Sequence, residues 1–261
     1  VVFTPRERDW QKHEVIVDND STETGYTEQP DQWQNAPQPG FALHQGNYVD
    51  HENPFEAGTV RMTATTKQAQ QQSLITYQPT IPEAGRYAVY VSYQTVEGSI
   101  DDAHYTIWHQ GIPTEFHVNQ QMGGSTWVYL GTFDFDEGNS EQNRVTLSNL
   151  SASKGIVTAD AVRFGGGMGN IERGGQLSGM PRCLEGSRYY AQWAGMPYEV
   201  YSTKDGQDDY GDDINARSCM ANLLAGGSCY LPDTTGRKVP IELSLAVHSD
   251  AGYTKDVKSN T

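Results

Sequence analysis

From Val15 to Phe164 short runs of six to ten residues carry β-branched or aromatic residues at every second position: VIVDND, TVRMTATT, SLITYQP, GRYAVYVSYQ, AHYTIWHQ, TEFHVNQ, TWVYLGTFDF, NRVTLSN and IVTADAVRF. β-Branched and aromatic residues at period two predict strands, because alternate side chains of a strand face opposite sides of its sheet. Glu83-Ala84-Gly85 and Gln110-Gly111 punctuate the runs as turns do. With no helical period among them, the block predicts an antiparallel, jelly-roll-like all-β sandwich. The following GGGMGN, residues 165–170, reads as a flexible hinge.

Beyond the hinge the pattern changes. CLEGSRYYAQWAGMP, residues 183–197, predicts a helix stopped by Gly195 and Pro197. DDINARSCMANLLAGG predicts a second, capped by Asp212 or Asp213, striped by Ile214, Ala221 and Leu224, and ended by Gly226-Gly227. PIELSLAVH then alternates, with Ile241, Leu243, Leu245 and Val247 on one face, and predicts a strand over 240–248. The opening VVF reads as a buried strand. The expected fold is therefore a β-sandwich over 15–167 inserted into a partial α/β domain. Residues 1–14 would supply the first strand and loop of that domain, and residues 168–261 its remainder.

Charge narrows the partners. Across 261 residues the net charge is −15, with no cluster of Lys and Arg, which argues against nucleic acid, whose phosphates need one. No apolar run approaches the roughly 20 residues that span a bilayer, so no transmembrane segment is expected. VVFTPRERDW carries neither an initiator Met nor a signal-peptide pattern, and the chain reads as a cut or processed piece. Cys183, Cys219 and Cys229 leave two readings open, a Cys219–Cys229 bridge or three buried thiols.

Motifs of chemistry are few. HExxH, CxxC, HxH, GxSxG and phosphate-loop patterns are absent from the sequence. His248 ends its predicted strand, the place where ligands gather in open α/β sheets. His13, His44, His51, His104, His109 and His117 read as surface or packing residues. The acidic run Asp205–Asn215 lacks the order of a calcium loop and reads as a solvated loop that caps a helix. Trp33, Tyr48, Trp108, Trp127 and Tyr129 can stack on sugar rings; Trp127 reads as core, and Trp33 and Tyr48 are taken as candidate glycan contacts.

Two resemblances follow. Asp18-Asn19, Ala84 to Tyr90, Gln120 or Gln121, Trp127 to Phe133 and Ala159 to Phe164 resemble the marks of the golvesin C-terminal or xanthan-lyase carbohydrate-binding-like domain. The flanks resemble zinc-dependent N-acetylmuramoyl-L-alanine amidases: VVFTPRERD, then Arg217, Ala221 and Asn222, then the stretch from Ser244 to Ala251. That second resemblance implies that His248 binds zinc, that Asp250 orients its ring, and that Arg217 and Asn222 support the helix. It also implies metal-assisted amide hydrolysis on peptidoglycan or on another glycan-linked or free peptide. The catalytic residues and other zinc ligands would come from remaining segments of the same protein, so this chain alone would be inactive. The alternative expectation is a non-catalytic glycan-binding or assembly protein of the cell envelope. Either places the protein outside the bacterial cytoplasm: secreted, periplasmic or on the cell surface.

Overall fold

A computed structural model describes residues 11–21, 25–41, 48–53, 58–166, 169, 171–172, 175–180, 184–229 and 232–245. The strands, in chain order, are β1 (Glu14–Asp18), β2 (Tyr26–Gln29), β3 (Gln34–Asn35), β4 (Tyr48–Val49), β5 (Arg61–Ala64), β6 (Leu74–Tyr77), β7 (Thr80–Ile81) and β8 (Gly85–Val91). They continue as β9 (Ala103–His109), β10 (Ile112–Val118), β11 (Val128–Phe135), β12 (Gly138–Asn139), β13 (Arg144–Ser148), β14 (Ile156–Ala159), β15 (Ala161–Gly165) and β16 (Ile171–Glu172). A four-stranded sheet in the order β1-β15-β8-β11 faces a five-stranded sheet in the order β10-β9-β13-β6-β2. All pairings within both are antiparallel. The expected β-sandwich is present.

The two sheets differ in what lies outside them. Strand β9, AHYTIWH, alternates: Ala103, Tyr105 and Ile107 are buried, while His104, Thr106 and Trp108 are only half-buried, so one face of the five-stranded sheet is wet. Strand β8, GRYAVYV, is buried without a break from Tyr87 to Val91. Its Tyr87, Val89 and Val91 enter the sandwich core, and its Ala88 and Tyr90 enter a second core on the other side. A continuous apolar run of this length is what burial on both faces requires.

That second core is roofed by helices α1 (Ser187–Trp193), α2 (Tyr198–Tyr201) and α3 (Asp209–Ala225). Trp193, Ala194, Met196, Tyr201 and Leu224 meet Tyr90, Trp127, Ala161 and Phe41 there. Arg163 of β15 stands at the junction, wholly buried. Its guanidinium lies 4.3 Å from the Trp127 ring centroid and 4.4 Å from that of Trp193. Nη1 donates to the Trp193 carbonyl at 3.1 Å, and Nε sits 3.0 Å from Glu14 Oε1 of β1. Arg188 of α1, also buried, ties the helices to one another and to the loop at Asp50, through Asp50 at 2.9 Å and Asp209 at 3.1 Å.

Several expectations change here. Helix α3 starts before Asp212, because the Asp208 side chain accepts from the Gly211 N–H at 3.1 Å and serves as the cap. Asp212 is buried and accepts from the Lys204 N–H at 2.6 Å, so the acidic run is not simply a solvated loop. The buried stripe of α3 is Asp212, Ala216 and Leu224, and Ile214 is exposed. The expected end stands: Gly226 takes the left-handed conformation at φ 94° that favours glycine. Within the predicted strand 240–248, the described residues 240–245 form no strand, and Leu243 and Leu245 are exposed by 82% and 79%. Alternation makes a strand only where a sheet edge accepts it, and among the described residues none does. After Gly166 those residues carry helices and the two-residue β16, which pairs in parallel with β4, and no α/β sheet. Cys219 and Cys229 are free thiols, half-buried and exposed, so the bridge does not form; Cys183 lies outside the described residues. No helix among the described residues is long and apolar enough to cross a membrane.

Trp127 is buried, as expected of a core residue, and so is Val162. Trp127→Ala is expected to cost about 3–5 kcal/mol by opening a cavity beside Arg163, measured by urea unfolding of the whole chain. A loss below about 1 kcal/mol would contradict this account of the junction.

Candidate functional site

The wet face of the five-stranded sheet carries rows of outward polar groups. The turn at Gln110-Gly111, both residues at positive φ, fixes the β9–β10 register so that His104 pairs with His117, Thr106 with Glu115 and Trp108 with Pro113. On its other side β9 pairs with β13, placing Ser148 beside His104, Thr146 beside Thr106 and Arg144 beside Trp108. The middle row continues through Thr76 and Thr27. These threonines satisfy the strand's preference for β-branched residues while presenting hydroxyls to solvent.

The outer ends of these rows enclose a groove of about 270 Å³, walled by Gln72, His104, Thr106, Glu115, His117 and Thr146 among others. Gln72 Nε2 donates to Ser148 Oγ at 2.8 Å and holds one rim. Asp102, just before β9, receives the Ser151 hydroxyl at 2.8 and 3.0 Å and lies 3.6 Å from His104 Nε2. The His104 and His117 rings are 4.2 Å apart. At the far end of the face the Arg144 guanidinium stacks 4.6 Å from the centroid of the Trp108 ring. The face thus offers hydroxyl, amide, imidazole and carboxylate groups at the groove and a partly covered indole at its other end. Such a set suits a hydroxyl-rich ligand, whose oxygens take directed hydrogen bonds and whose ring faces pack on aromatics.

Residues singled out in the sequence fall elsewhere. Trp33, a candidate glycan contact, is 5% exposed and donates Nε1 to Ser73 Oγ at 2.9 Å; it is core and cannot face a sugar. Tyr48 contributes its backbone to the pairing of β4 with Ile171. Arg217 is exposed on α3 and donates to the Ile214 carbonyl at 3.4 Å. The Asn222 carbonyl accepts from Gly226 and Gly227, which closes the helix. Both sit on the helical layer, opposite the groove. His248 and Asp250 lie outside the described residues.

His104 and His117, read singly as surface or packing residues, become neighbours once the hairpin is drawn. The Gln110-Gly111 turn fixes which residue of β10 stands opposite each residue of β9, and that was the signal in the sequence that would have paired His104 with His117.

The motifs at the strand ends build the frame. Gln120, buried, clamps Thr158 by accepting from its N–H at 2.9 Å and donating to its carbonyl at 2.8 Å. Asp160 accepts from the Phe41 N–H at 3.0 Å and from Ser92 Oγ at 2.6 Å. Asp18 accepts from the Asp20 N–H at 2.7 Å. Asn19 donates to Thr59 Oγ1 at 2.9 Å, which donates in turn to Asp20 at 2.6 Å. With Asp18-Asn19 closing β1, Ala84 to Tyr90 opening β8, Trp127 to Phe133 forming β11, and Ala159 to Phe164 forming β15, the order matches one known pattern: the golvesin C-terminal domain, over residues 15–166. The chain belongs to this family.

Over 90 residues this golvesin-type chain is 31% identical to xanthan lyase from Bacillus sp. (strain GL1), a match covering 34% of the chain and 10% of the relative. The chain thus matches about a tenth of that relative's length. Among solved structures it is similar to a Paenibacillus xanthan lyase, at 23% identity and a TM-score of 0.46, over 59% of this chain and 13% of the other. It is also similar to a family 35 carbohydrate-binding module from Clostridium thermocellum, at 14% identity and a TM-score of 0.35, over 58% and 97%.

The frame of the golvesin-type sandwich includes two wholly buried carboxyls, Asp18 and Asp160. Burial pushes Asp18 up to about 9, with repulsion from Asp160 adding to it. Burial likewise lifts Asp160, to about 7, against the opposing bonds from Ser92 and Phe41. The folded chain therefore holds a proton that the unfolded chain, titrating near about 4, has released. Unfolding loses protons, so stability falls as pH rises from about 4 to about 9. Urea midpoints of the wild type are expected to decline across that window and to decline less in Asp18→Asn. Parallel curves for the two proteins would count against the assignment.

Proposed function

We propose that this chain is the glycan-binding part of a secreted or cell-surface bacterial protein that acts on polysaccharide, and that its glycan lies along the wet face of the five-stranded sheet. The observation that carries the reading is the groove at Thr106, Glu115, His117 and Thr146, with Trp108 at the other end of the same face. Membership of the golvesin C-terminal domain family and the 31% identity to a xanthan lyase support a polysaccharide context. The acidic balance of the chain, −15, favours neutral or cation-bearing partners over nucleic acid.

In domain terms, residues 15–167 are the glycan-binding sandwich, and residues 1–14 and 168–261 belong to the unit that carries it. A finer reading makes that unit a zinc-dependent amidase acting on peptidoglycan or a peptide, with His248 as a ligand and Asp250 behind it. Its support is the order of the Thr4 to Asp9, Arg217 to Asn222 and Ser244 to Ala251 motifs along the sequence.

The test is affinity electrophoresis of the whole chain through gels containing xanthan, a neutral β-glucan or no polymer, with pull-down on peptidoglycan sacculi beside it. Retardation by a polysaccharide is expected, with Trp108→Ala and Glu115→Ala each weakening it by about tenfold, or about 1.4 kcal/mol. Trp33→Phe, a change in the core, should leave binding intact. Equal retardation of wild type and the two face variants, or sacculus binding alone, would overturn the assignment.

A further inference from the structure

The groove wall also contains a constellation of a different chemistry, in which two of its imidazoles meet a carboxylate. Asp102, His104 and His117 place one donor atom each within 4.8 Å of one another. The arrangement is built in. His104 and His117 stand directly opposite on neighbouring antiparallel strands, so their side chains share a face, and Asp102 is two residues before His104 on that side. Beyond the 3.6 Å approach of Asp102 to His104, neither imidazole has a hydrogen-bond partner among the described residues. An ion pair would employ one imidazole and the carboxylate. It leaves His117, whose ring is 4.2 Å from that of His104, without a role.

We propose that Asp102, His104 and His117 bind one divalent transition-metal ion, leaving its remaining coordination position open to the groove. Two imidazoles, borderline ligands, beside one hard carboxylate suit zinc, nickel or copper(II) and not calcium or magnesium, which prefer all-oxygen shells. Three protein ligands with one open position is the pattern of a metal that takes a further, exchangeable oxygen. Around a tetrahedral ion with bonds of roughly 2.0–2.1 Å the donors stand about 3.4 Å apart, so the present spread closes by small rotations of the side chains. Asp102 is already oriented for this by the Ser151 hydroxyl, the kind of support that ligating carboxylates receive. Both histidines line the groove, so the open position meets whatever occupies it.

The experiment is isothermal titration of the chelator-treated whole chain with zinc, in the absence of any glycan, so that its outcome is separate from the glycan reading. One saturable ion is expected at this site. His104→Ala and His117→Ala should each abolish it, and Ser151→Ala should weaken it by about 10- to 100-fold by releasing Asp102. His109→Ala, on the same hairpin with its Nε2 3.0 Å from Thr114, should leave it unchanged. Circular dichroism and melting confirm that each variant is folded; His117 is exposed on the edge strand β10, so its removal should spare the fold. No saturable binding, or binding unchanged in His117→Ala, overturns the proposal. Binding lost in His248→Ala but kept in His117→Ala does so as well, and moves the metal to the other end of the chain.

Discussion

Arg163 is the interaction on which the rest of the molecule turns. A guanidinium with no exposure costs several kcal/mol to desolvate unless its surroundings replace water on every side. Here the replacements are a carboxylate from β1, two indole rings and a backbone carbonyl. Cation–π contacts are strongest when desolvated, at about 2 kcal/mol or more. The contributing residues, Glu14, Trp127, Arg163 and Trp193, come from four separate parts of the chain. The charge can be buried only when all four are in place, which couples the helical layer to the sandwich.

The same coupling decides what could be read in advance. The strands with one wet face, β9 and β13 above all, announced themselves by alternation, and the sandwich followed. Strand β8 was recognised as a strand with the others, but the apolar run from Tyr87 to Val91 does not say what covers its second face; that Ala88 and Tyr90 face a helical roof depends on Trp193, about a hundred residues away. Residues 240–245 erred in the opposite sense. Their alternation was correct for a strand, but pairing is a property of two segments, and a local pattern cannot supply the neighbour. Within α3 the cap was misplaced because four acidic residues within six positions, Asp208, Asp209, Asp212 and Asp213, all suit a helix start, and Asp212 is occupied by the Lys204 N–H.

The wet face shows how a site can be present in a sequence and still go unread. Every residue of the groove was visible, yet spacing along the chain separates His104 from His117 by thirteen positions, and only the hairpin register sets them side by side. One aromatic chosen from the sequence, Trp33, had the right chemistry but lies in the core just before β3, bonded to Ser73. Trp108, in the outward row of β9, had both chemistry and position. Face, set by the parity of the strand, was more informative than residue type.

The family pattern ends at Gly166, whereas the cover over Tyr90 and Trp127 comes from residues beyond it. The stretch shared with relatives is therefore shorter than the stretch that makes this copy watertight. Transplanted on its own, 15–166 would carry a half-covered indole, an outward tyrosine and an arginine missing both one stacking partner and the Glu14 carboxylate, and its new host would have to supply a replacement roof. A sandwich of this kind is best regarded as a socket shaped for whatever its own protein places on the dry side, leaving the wet side free to diverge.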